Sequence, residues 1–156
     1  MDKLSVIIPS RNEAENLERC ISEIFEKLDK DRIIHEIIII DDGSTDNTLN
    51  LIQDVVQRYP TVRYLRNDGE NGFGRAVRIG LSEFNGDAVA IMMADRSDSP
   101  EDLVNYWDQL KDGYECIFGS RFVKGSKLYN YPKGKLFLNR MVNTMIRYAF
   151  GIESND

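Results

Sequence analysis

The stretch I-I-I-I-D-D-G-S-T-D-N-T, from Ile37 to Thr48, decides the fold of this 156-residue chain. Its four consecutive isoleucines do not alternate with polar residues, which is typical of a strand buried on both faces in a parallel sheet. The S-T-D sequence that follows the glycine contains preferred helix N-cap residues. The stretch therefore predicts a strand, a turn and a helix, with Asp41 and Asp42 placed where the strand ends.

The same alternation of short apolar runs and longer segments with apolar residues every three or four positions extends along the chain. We predict five strands, at Leu4 to Ile8, Glu36 to Ile40, Val62 to Leu65, Asp87 to Met93 and Tyr114 to Phe118. Pro9 is expected to end the first strand because it has no amide hydrogen. Strands that alternate with helices predict an α/β fold, a three-layer α/β/α sandwich around a mostly parallel, Rossmann-like sheet.

Size and charge limit the function. A chain of this length with 42% hydrophobic residues can bury one core, so residues 1–156 are expected to form a single domain. The net charge of −6 disfavours a nucleic-acid partner. The segment from Cys116 to Ile152 nevertheless contains no acidic residue and seven basic ones. This basic end suits a phosphate-bearing partner or an anionic membrane surface, although a merely solvated face explains it too.

The cysteines and the N-terminus indicate a cytoplasmic protein. Cys20 and Cys116 lie far apart in apolar stretches, without metal-ligand spacing, and both are expected to be buried thiols. The N-terminal apolar run is too short for a signal peptide. No stretch approaches about 18 uninterrupted apolar residues, so we predict no membrane-spanning helix.

Charged residues follow the predicted strands at their carboxyl ends, where parallel sheets bind ligands. They are Arg11 and Glu13, Asp41 and Asp42, Asp95 and Asp98, and Arg121. Clustered carboxylates repel one another unless a cation or a donor-rich ligand lies among them. Asp95 suits Mg²⁺ or Mn²⁺, which bind few protein carboxylates. Arginines at positions 75, 78 and 121 suit phosphate groups.

Five motifs in this order resemble family 2 glycosyltransferases of the GT-A fold. They are V-I-I-P-S-R-N-E (Val6 to Glu13), the Ile37 to Thr48 stretch, N-G-F-G-R-A (Asn71 to Ala76), G-D-A-V-A-I-M-M-A-D (Gly86 to Asp95) and G-S-R-F-V-K-G (Gly119 to Gly125). The similarity is greatest to the dolichol-phosphate mannosyltransferase type. It implies transfer of a sugar from a UDP- or GDP-linked donor to a dolichyl or undecaprenyl phosphate, with Mg²⁺ or Mn²⁺ as cofactor, at the cytoplasmic face of the membrane.

The resemblance also implies roles for single residues. The nucleotide-binding set is Pro9, Arg11, Glu13, Asp41, Asp42, Arg75 and Ala94. Asp95 and Arg121 are the implied catalytic residues, and Asp95 with Asp98 is the implied metal set. The acceptor phosphate is assigned to Lys124, Lys135 and Arg140.

Two departures from the family pattern leave alternatives open. Met93 stands where the family's D-x-D motif has its first acid, and methionine is a poor ligand for a hard cation. The chain also ends at Asp156, before a D-x-T-x-x-F-K/R stretch of the family, which implies a truncated domain. A family 2 enzyme acting on a saccharide or cell-envelope polymer, and a nucleotide-binding module without activity, are the alternatives. The last helix fits either a membrane interface or a core, and His35 is expected to be structural.

Overall fold

The computed structural model describes residues 1–119 and 133–151. The chain forms two compact units, Met1–Glu115 and Cys116–Asp156. In the first unit four strands alternate with four helices: β1 Lys3–Ser10, α1 Leu17–Lys30, β2 Ile34–Asp41, α2 Thr48–Arg58, β3 Val62–Arg66, α3 Phe73–Glu83, β4 Ala88–Ile91 and α4 Pro100–Lys111. The second unit contains α5, Lys133–Phe150.

The four strands form one parallel sheet in the order β3-β2-β1-β4. Successive side chains of β1 point to opposite faces, as strand geometry requires. Val6 and Ile8 pack into a core with α1, α2 and α4, whereas Ile7 packs with Ile38, Ile40 and α3 on the other face. Helices therefore cover both faces, which confirms the predicted three-layer α/β sandwich.

The helices pack through the apolar stripes that the sequence predicts. The stripe of α1 is fully buried and consists of Leu17, Cys20, Ile21, Ile24 and Leu28. Helix α3 approaches the sheet closely at Gly80, where an added Cβ atom would lie 2.5 Å from Ile7. Helix α4 begins at Pro100, and the Ser99 hydroxyl caps it by accepting a hydrogen bond from the Glu101 amide at 3.2 Å.

The prediction that Pro9 ends β1 is wrong, because β1 continues to Ser10 beside β2. Alternate residues of a strand turn their amides toward alternate neighbours. The Ile7 carbonyl accepts a hydrogen bond from the Met92 amide at 3.0 Å, so Ile7 and also Pro9, two residues later, face β4. Proline has no amide hydrogen, and the pairing with β4 stops at this point. β4 is accordingly shorter than predicted.

The predicted fifth strand is not formed. Tyr114 to Phe118 pair with no strand in the described part of the chain, and Tyr114 and Phe118 are 62% and 86% exposed. An apolar run becomes a strand only where a neighbouring strand supplies backbone partners. The expected burial of the cysteines is correct for Cys20 and wrong for Cys116, which is exposed because it lies in this unpaired segment.

Helix α5 exposes both apolar and basic side chains. Leu138, Met141 and Met145 are 55%, 45% and 64% exposed, and Arg140 and Arg147 are exposed with them. Within the described ranges, no helix combines the length and the apolar character needed to cross a bilayer.

Candidate functional site

The end of β2 carries a buried carboxylate with a free hydrogen-bonding atom. Asp41 is 0% exposed, and its Oδ1 accepts a hydrogen bond from the Ser44 amide at 3.1 Å. Its Oδ2 has no hydrogen-bond partner among the described residues. The nearest cation among the described residues, Arg66 Nε, is 3.8 Å from this oxygen, too far for a hydrogen bond. An unpaired buried acceptor costs about 1–3 kcal/mol, which a ligand donor would recover.

Ser10, which the sequence reasoning did not select, lies beside Asp41. The two residues are register partners at the ends of β1 and β2, so their side chains share one face of the sheet. Ser10 is 2% exposed, and its hydroxyl also has no partner in the described structure. Its position at the end of the strand, opposite the predicted acid, is the signal that would have identified it.

The turn after β1 and the turn after β2 are joined by hydrogen bonds. The Asn12 side chain accepts from the Thr45 amide at 2.8 Å, and the Glu13 amide donates to the Thr48 hydroxyl at 2.9 Å. Asn12 adopts a φ of 56°, in the left-handed region that asparagine tolerates. The structure thus brings three predicted nucleotide-binding residues to the same edge as Asp41: buried Pro9, exposed Arg11 and half-buried Glu13.

Asp42 is fully engaged by the protein. Its Oδ1 accepts from the Asn67 side-chain amide at 2.6 Å, and its Oδ2 accepts from the Gly72 amide at 2.7 Å. The next residue, Gly43, has a φ of 72°, and an added Cβ atom would lie 2.6 Å from the Asn71 side chain. Asp42 therefore holds the turn that leads into α3. Both of its oxygens already accept hydrogen bonds from the protein, so neither is free for a nucleotide.

Helix α3 places Arg75 on an exposed surface. Its Nη2 lies 2.5 Å from Glu70 Oε2, and both side chains are more than half exposed. Exposed ion pairs contribute little free energy, so a phosphate can compete with Glu70 for this guanidinium.

The loop between β4 and α4 carries the predicted metal ligands. Asp95 is exposed, and its Oδ1 accepts from the Ser97 amide at 2.9 Å. Asp98 Oδ2 accepts from the Met93 amide at 2.8 Å, which closes the loop. Ala94, which precedes Asp95, is 2% exposed, whereas the Met93 side chain is 37% exposed.

Asp95 and Asp98 fit a cation that is coordinated mainly by water and by the phosphate oxygens of a bound nucleotide. Among the described residues, no group of three or more His, Cys, Asp or Glu side chains could hold a metal ion. Within the described part of the chain, Asp95 makes a hydrogen bond through only one carboxylate oxygen, and the second remains available. Mg²⁺ commonly binds one or two carboxylates and completes its shell with water and phosphate oxygens. Asp95 meets that requirement, with Asp98 three residues away.

The Cys20 thiol and the His35 imidazole both make contacts within the fold. The Cys20 thiol donates to the Met93 carbonyl at 3.6 Å. Burial, and next the charge of Glu23, raise its pKa to about 12, so it remains a neutral thiol near pH 7. The imidazole of His35 is buried, with Nδ1 2.8 Å from the Ile33 carbonyl and Nε2 3.0 Å from the Thr61 hydroxyl.

The remaining predicted residues belong to the second unit. Arg121 and Lys124 lie outside the described residues. Lys135 and Arg140 lie in α5; Arg140 is exposed, and for Lys135 only the helical backbone is described.

The comparison with protein families identifies the chain. The family described as Glycosyl transferase family 2 matches residues 5–154. This chain belongs to that family. Two curated relatives of the family 2 chain match nearly all of its length. The dolichol-phosphate mannosyltransferase of Pyrococcus furiosus is 37% identical over 93% of this chain and 42% of its own. The polyprenol monophosphomannose synthase of Mycolicibacterium smegmatis is 32% identical over 97% of this chain and 57% of its own.

A solved structure confirms the fold. The mannosyltransferase PcManGT from Pyrobaculum calidifontis, in complex with GDP-Man and Mn²⁺, matches with a TM-score of 0.62 and 26% identity. The match covers 70% of this chain and 32% of the other. The predicted GT-A fold is therefore correct. The family 2 chain spans about half the length of the curated relatives that it matches.

Proposed function

We propose that this protein transfers a sugar from a nucleotide-diphosphate sugar to a polyprenyl phosphate. The observation that carries the proposal concerns the carboxyl edge of the sheet, where Oδ2 of buried Asp41 and the neighbouring Ser10 hydroxyl have no hydrogen-bond partner among the described residues. Parallel sheets of this kind bind nucleotides at that edge. The names of the two curated relatives support a polyprenyl phosphate as the acceptor.

In the proposed donor complex, Asp41 and Ser10 bind the nucleoside, and Arg11 and Arg75 contact its phosphates. A nucleoside supplies N–H and O–H donors for a buried carboxylate, and a diphosphate is a ligand for guanidinium groups. Pro9, Glu13 and Ala94 shape the pocket between these two ends, and Asp42 holds the turn before α3.

Asp95, with Asp98 close by, would hold Mg²⁺ or Mn²⁺, which would neutralise the charge of the departing diphosphate. A choice between the two cations does not follow from a single carboxylate, since both accept oxygen ligands. The role that we propose for Arg121 is to stabilise the same charge through hydrogen bonds.

The proposed reaction is an in-line displacement. An oxygen of the acceptor phosphate forms a bond to the anomeric carbon while the bond from that carbon to the diphosphate breaks, and the diphosphate leaves with the electron pair. The configuration at the carbon is inverted. The acceptor phosphate is already anionic near pH 7, so no general base is needed. This agrees with the chain's one histidine, His35, which is engaged within the fold.

We further propose that the reaction takes place at the cytoplasmic face of a membrane. Helix α5 exposes apolar and basic side chains together, which is the composition of interfacial helices on anionic lipid. Lys124, Lys135 and Arg140 would then contact the acceptor phosphate.

A second candidate function is a nucleotide-binding module without catalytic activity. Met93 favours it, because a thioether stands where the family has the first acid of its metal motif.

A transfer assay separates these functions. The chain is incubated with UDP- and GDP-linked sugars, Mn²⁺ or Mg²⁺, and a short polyprenyl phosphate, and the lipid product is measured. We expect a product with one nucleotide class, none with EDTA, and a rate at least about 100-fold lower for Asp95→Asn. The control, Asp108→Asn, changes an exposed acid on α4 and should keep the rate.

If no lipid product forms, calorimetry with the same nucleotides shows which function has failed. Nucleotide binding without transfer to any acceptor supports the non-catalytic module. Transfer to an oligosaccharide but not to the lipid contradicts the proposed acceptor. Absence of any nucleotide binding contradicts both functions.

A further inference from the structure

An ion pair joins the loop between β4 and α4 to helix α1. Glu23 of α1 accepts two hydrogen bonds from the Arg96 guanidinium, Nε to Oε2 at 3.1 Å and Nη2 to Oε1 at 2.9 Å. Such a bidentate contact fixes the orientation of the guanidinium as well as its position. Glu23 also accepts from Arg19 Nε at 2.9 Å, within the same helix.

The backbone of Arg96 needs such support. Its φ is 64°, in the left-handed region that residues with a long side chain rarely adopt. A conformation of this kind persists where surrounding contacts hold it, and it often occurs at functional sites. The side-chain contact with Glu23 attaches this residue to helix α1.

Arg96 lies between Asp95 and Ser97, the residue whose amide orients the Asp95 carboxylate. The Ser97 amide, directly after Arg96, donates to Asp95 Oδ1 at 2.9 Å. This hydrogen bond spans Arg96, so the backbone angles of Arg96 determine whether it can form. Two residues further on, Asp98 accepts a hydrogen bond from the Met93 amide at 2.8 Å, which closes the loop.

The ion pair also determines where the positive charge of Arg96 lies. An arginine next to Asp95 and two residues from Asp98 is a competing partner for both acids. Glu23 occupies its Nε and Nη2 instead. The carboxylate oxygen of Asp95 that makes no hydrogen bond within the described residues thus stays available for a cation.

We infer that Glu23 is a positioning residue: by binding Arg96, it holds the loop in the conformation that presents Asp95 to the metal–nucleotide complex. The inference rests on the proposed function, because it assigns the cation to Asp95. It adds a residue of α1, well before the loop in the sequence, to the determinants of cation binding.

The test variant is Glu23→Gln, with two readouts. The first is hydrogen exchange of the Met93 and Ser97 amides, which needs no ligand and should become faster. The second is the affinity for Mn²⁺·GDP and Mn²⁺·UDP, which should fall about tenfold, as is typical when the partner of a metal-site group is removed. Affinity for the same nucleotides without metal should not change.

Arg19→Gln is the matched control. It removes the other partner of Glu23 and leaves the pair with Arg96, so both readouts should match those of the unmodified chain. A thermal unfolding curve for each variant shows that the domain is folded.

Arg96→Gln breaks the ion pair from the other side and keeps a side chain at the positive φ of position 96. We expect this variant to lose as much metal-dependent affinity as Glu23→Gln, and the double variant to lose no more, since the two residues act as one unit. Additive losses, or full affinity in Arg96→Gln, would overturn the inference.

Two results separate this inference from the proposed function. If the unmodified chain binds neither metal–nucleotide complex, the proposed function fails, and the inferred role of Glu23 in metal binding fails with it. If the unmodified chain binds one of them and Glu23→Gln shows the same affinity and the same amide exchange, only the role of Glu23 is overturned.

Discussion

Strand β2 carries a buried acid at each end, and the two acids have opposite surroundings. Glu36 near the amino end is 5% exposed, and protein donors occupy both of its oxygens. The Ser5 hydroxyl and the Asn85 amide donate to Oε1 at 2.6 and 2.8 Å, and Arg63 Nε donates to Oε2 at 3.0 Å. Asp41 at the carboxyl end is 0% exposed. Its Oδ1 accepts one hydrogen bond, from the Ser44 amide, while its Oδ2 has no hydrogen-bond partner in the described structure.

We propose that this difference separates the acid that serves the fold, Glu36, from the acid that serves the site, Asp41. A buried carboxylate with all its partners inside the protein stabilises the folded state. A buried carboxylate with an unpaired oxygen lowers stability unless a ligand supplies a donor. Burial alone therefore does not distinguish the two acids, whereas their hydrogen bonds do.

The largest expected effect is that of Asp41→Asn on nucleotide binding. Asparagine keeps the size of the side chain but removes the charge, and a hydrogen bond to a charged group contributes about 1.5–3 kcal/mol. We expect the dissociation constant for the bound nucleotide to rise about 10- to 100-fold in calorimetry. The free energy of unfolding should change little, because asparagine keeps an acceptor for the Ser44 amide and, like aspartate, leaves one buried polar atom without a partner in the described structure.

Glu36→Gln is the matched control for Asp41→Asn, since it neutralises the other buried acid of the same strand. It should leave the nucleotide affinity unchanged. A large loss of affinity from Glu36→Gln, or none from Asp41→Asn, would remove the distinction between the two ends of β2.

The second expected effect concerns stability. Glu36→Gln replaces a carboxylate that accepts three hydrogen bonds with an amide that cannot accept at both ends, so one donor loses its partner. We expect the free energy of unfolding to fall by about 2 kcal/mol in urea titrations. Glu26→Gln, at an exposed position on α1, should change it by less than about 0.5 kcal/mol.

The sequence predicts the carboxyl edge of this sheet well. The apolar run before Asp41 and the motifs around Pro9 and Asp95 are local patterns, and the parallel arrangement of the strands brings their ends together. The three-layer fold follows from the same local signals, since helix and strand periods differ.

What the sequence does not predict depends on contacts between distant segments. The pairing of Ser10 with Asp41 requires the register of two strands, and the contact of Glu23 with Arg96 requires the packing of α1 against a loop 73 residues later. The apolar run at Tyr114 met every local criterion for a strand and lacks a pairing partner in the described structure.

The smallest expected effect is a dependence of stability on pH that Glu36 produces. Burial raises the pKa of Glu36, but hydrogen bonds from Ser5, Asn85 and Arg63 outweigh it, and the pKa lies below its ordinary value of 4.5.

A carboxyl with a lowered pKa in the folded state contributes stability at pH values above its ordinary pKa, and that contribution is lost as the pH falls through the folded-state pKa. The difference in unfolding free energy between the unmodified chain and Glu36→Gln should therefore be constant from pH 7 to about pH 5. Below about pH 4.5 it should shrink by roughly 1 kcal/mol for each unit by which the pKa is lowered. Urea titrations at several pH values measure this difference, and a difference that stays constant to pH 3 would mean that the network does not favour the charged form of Glu36.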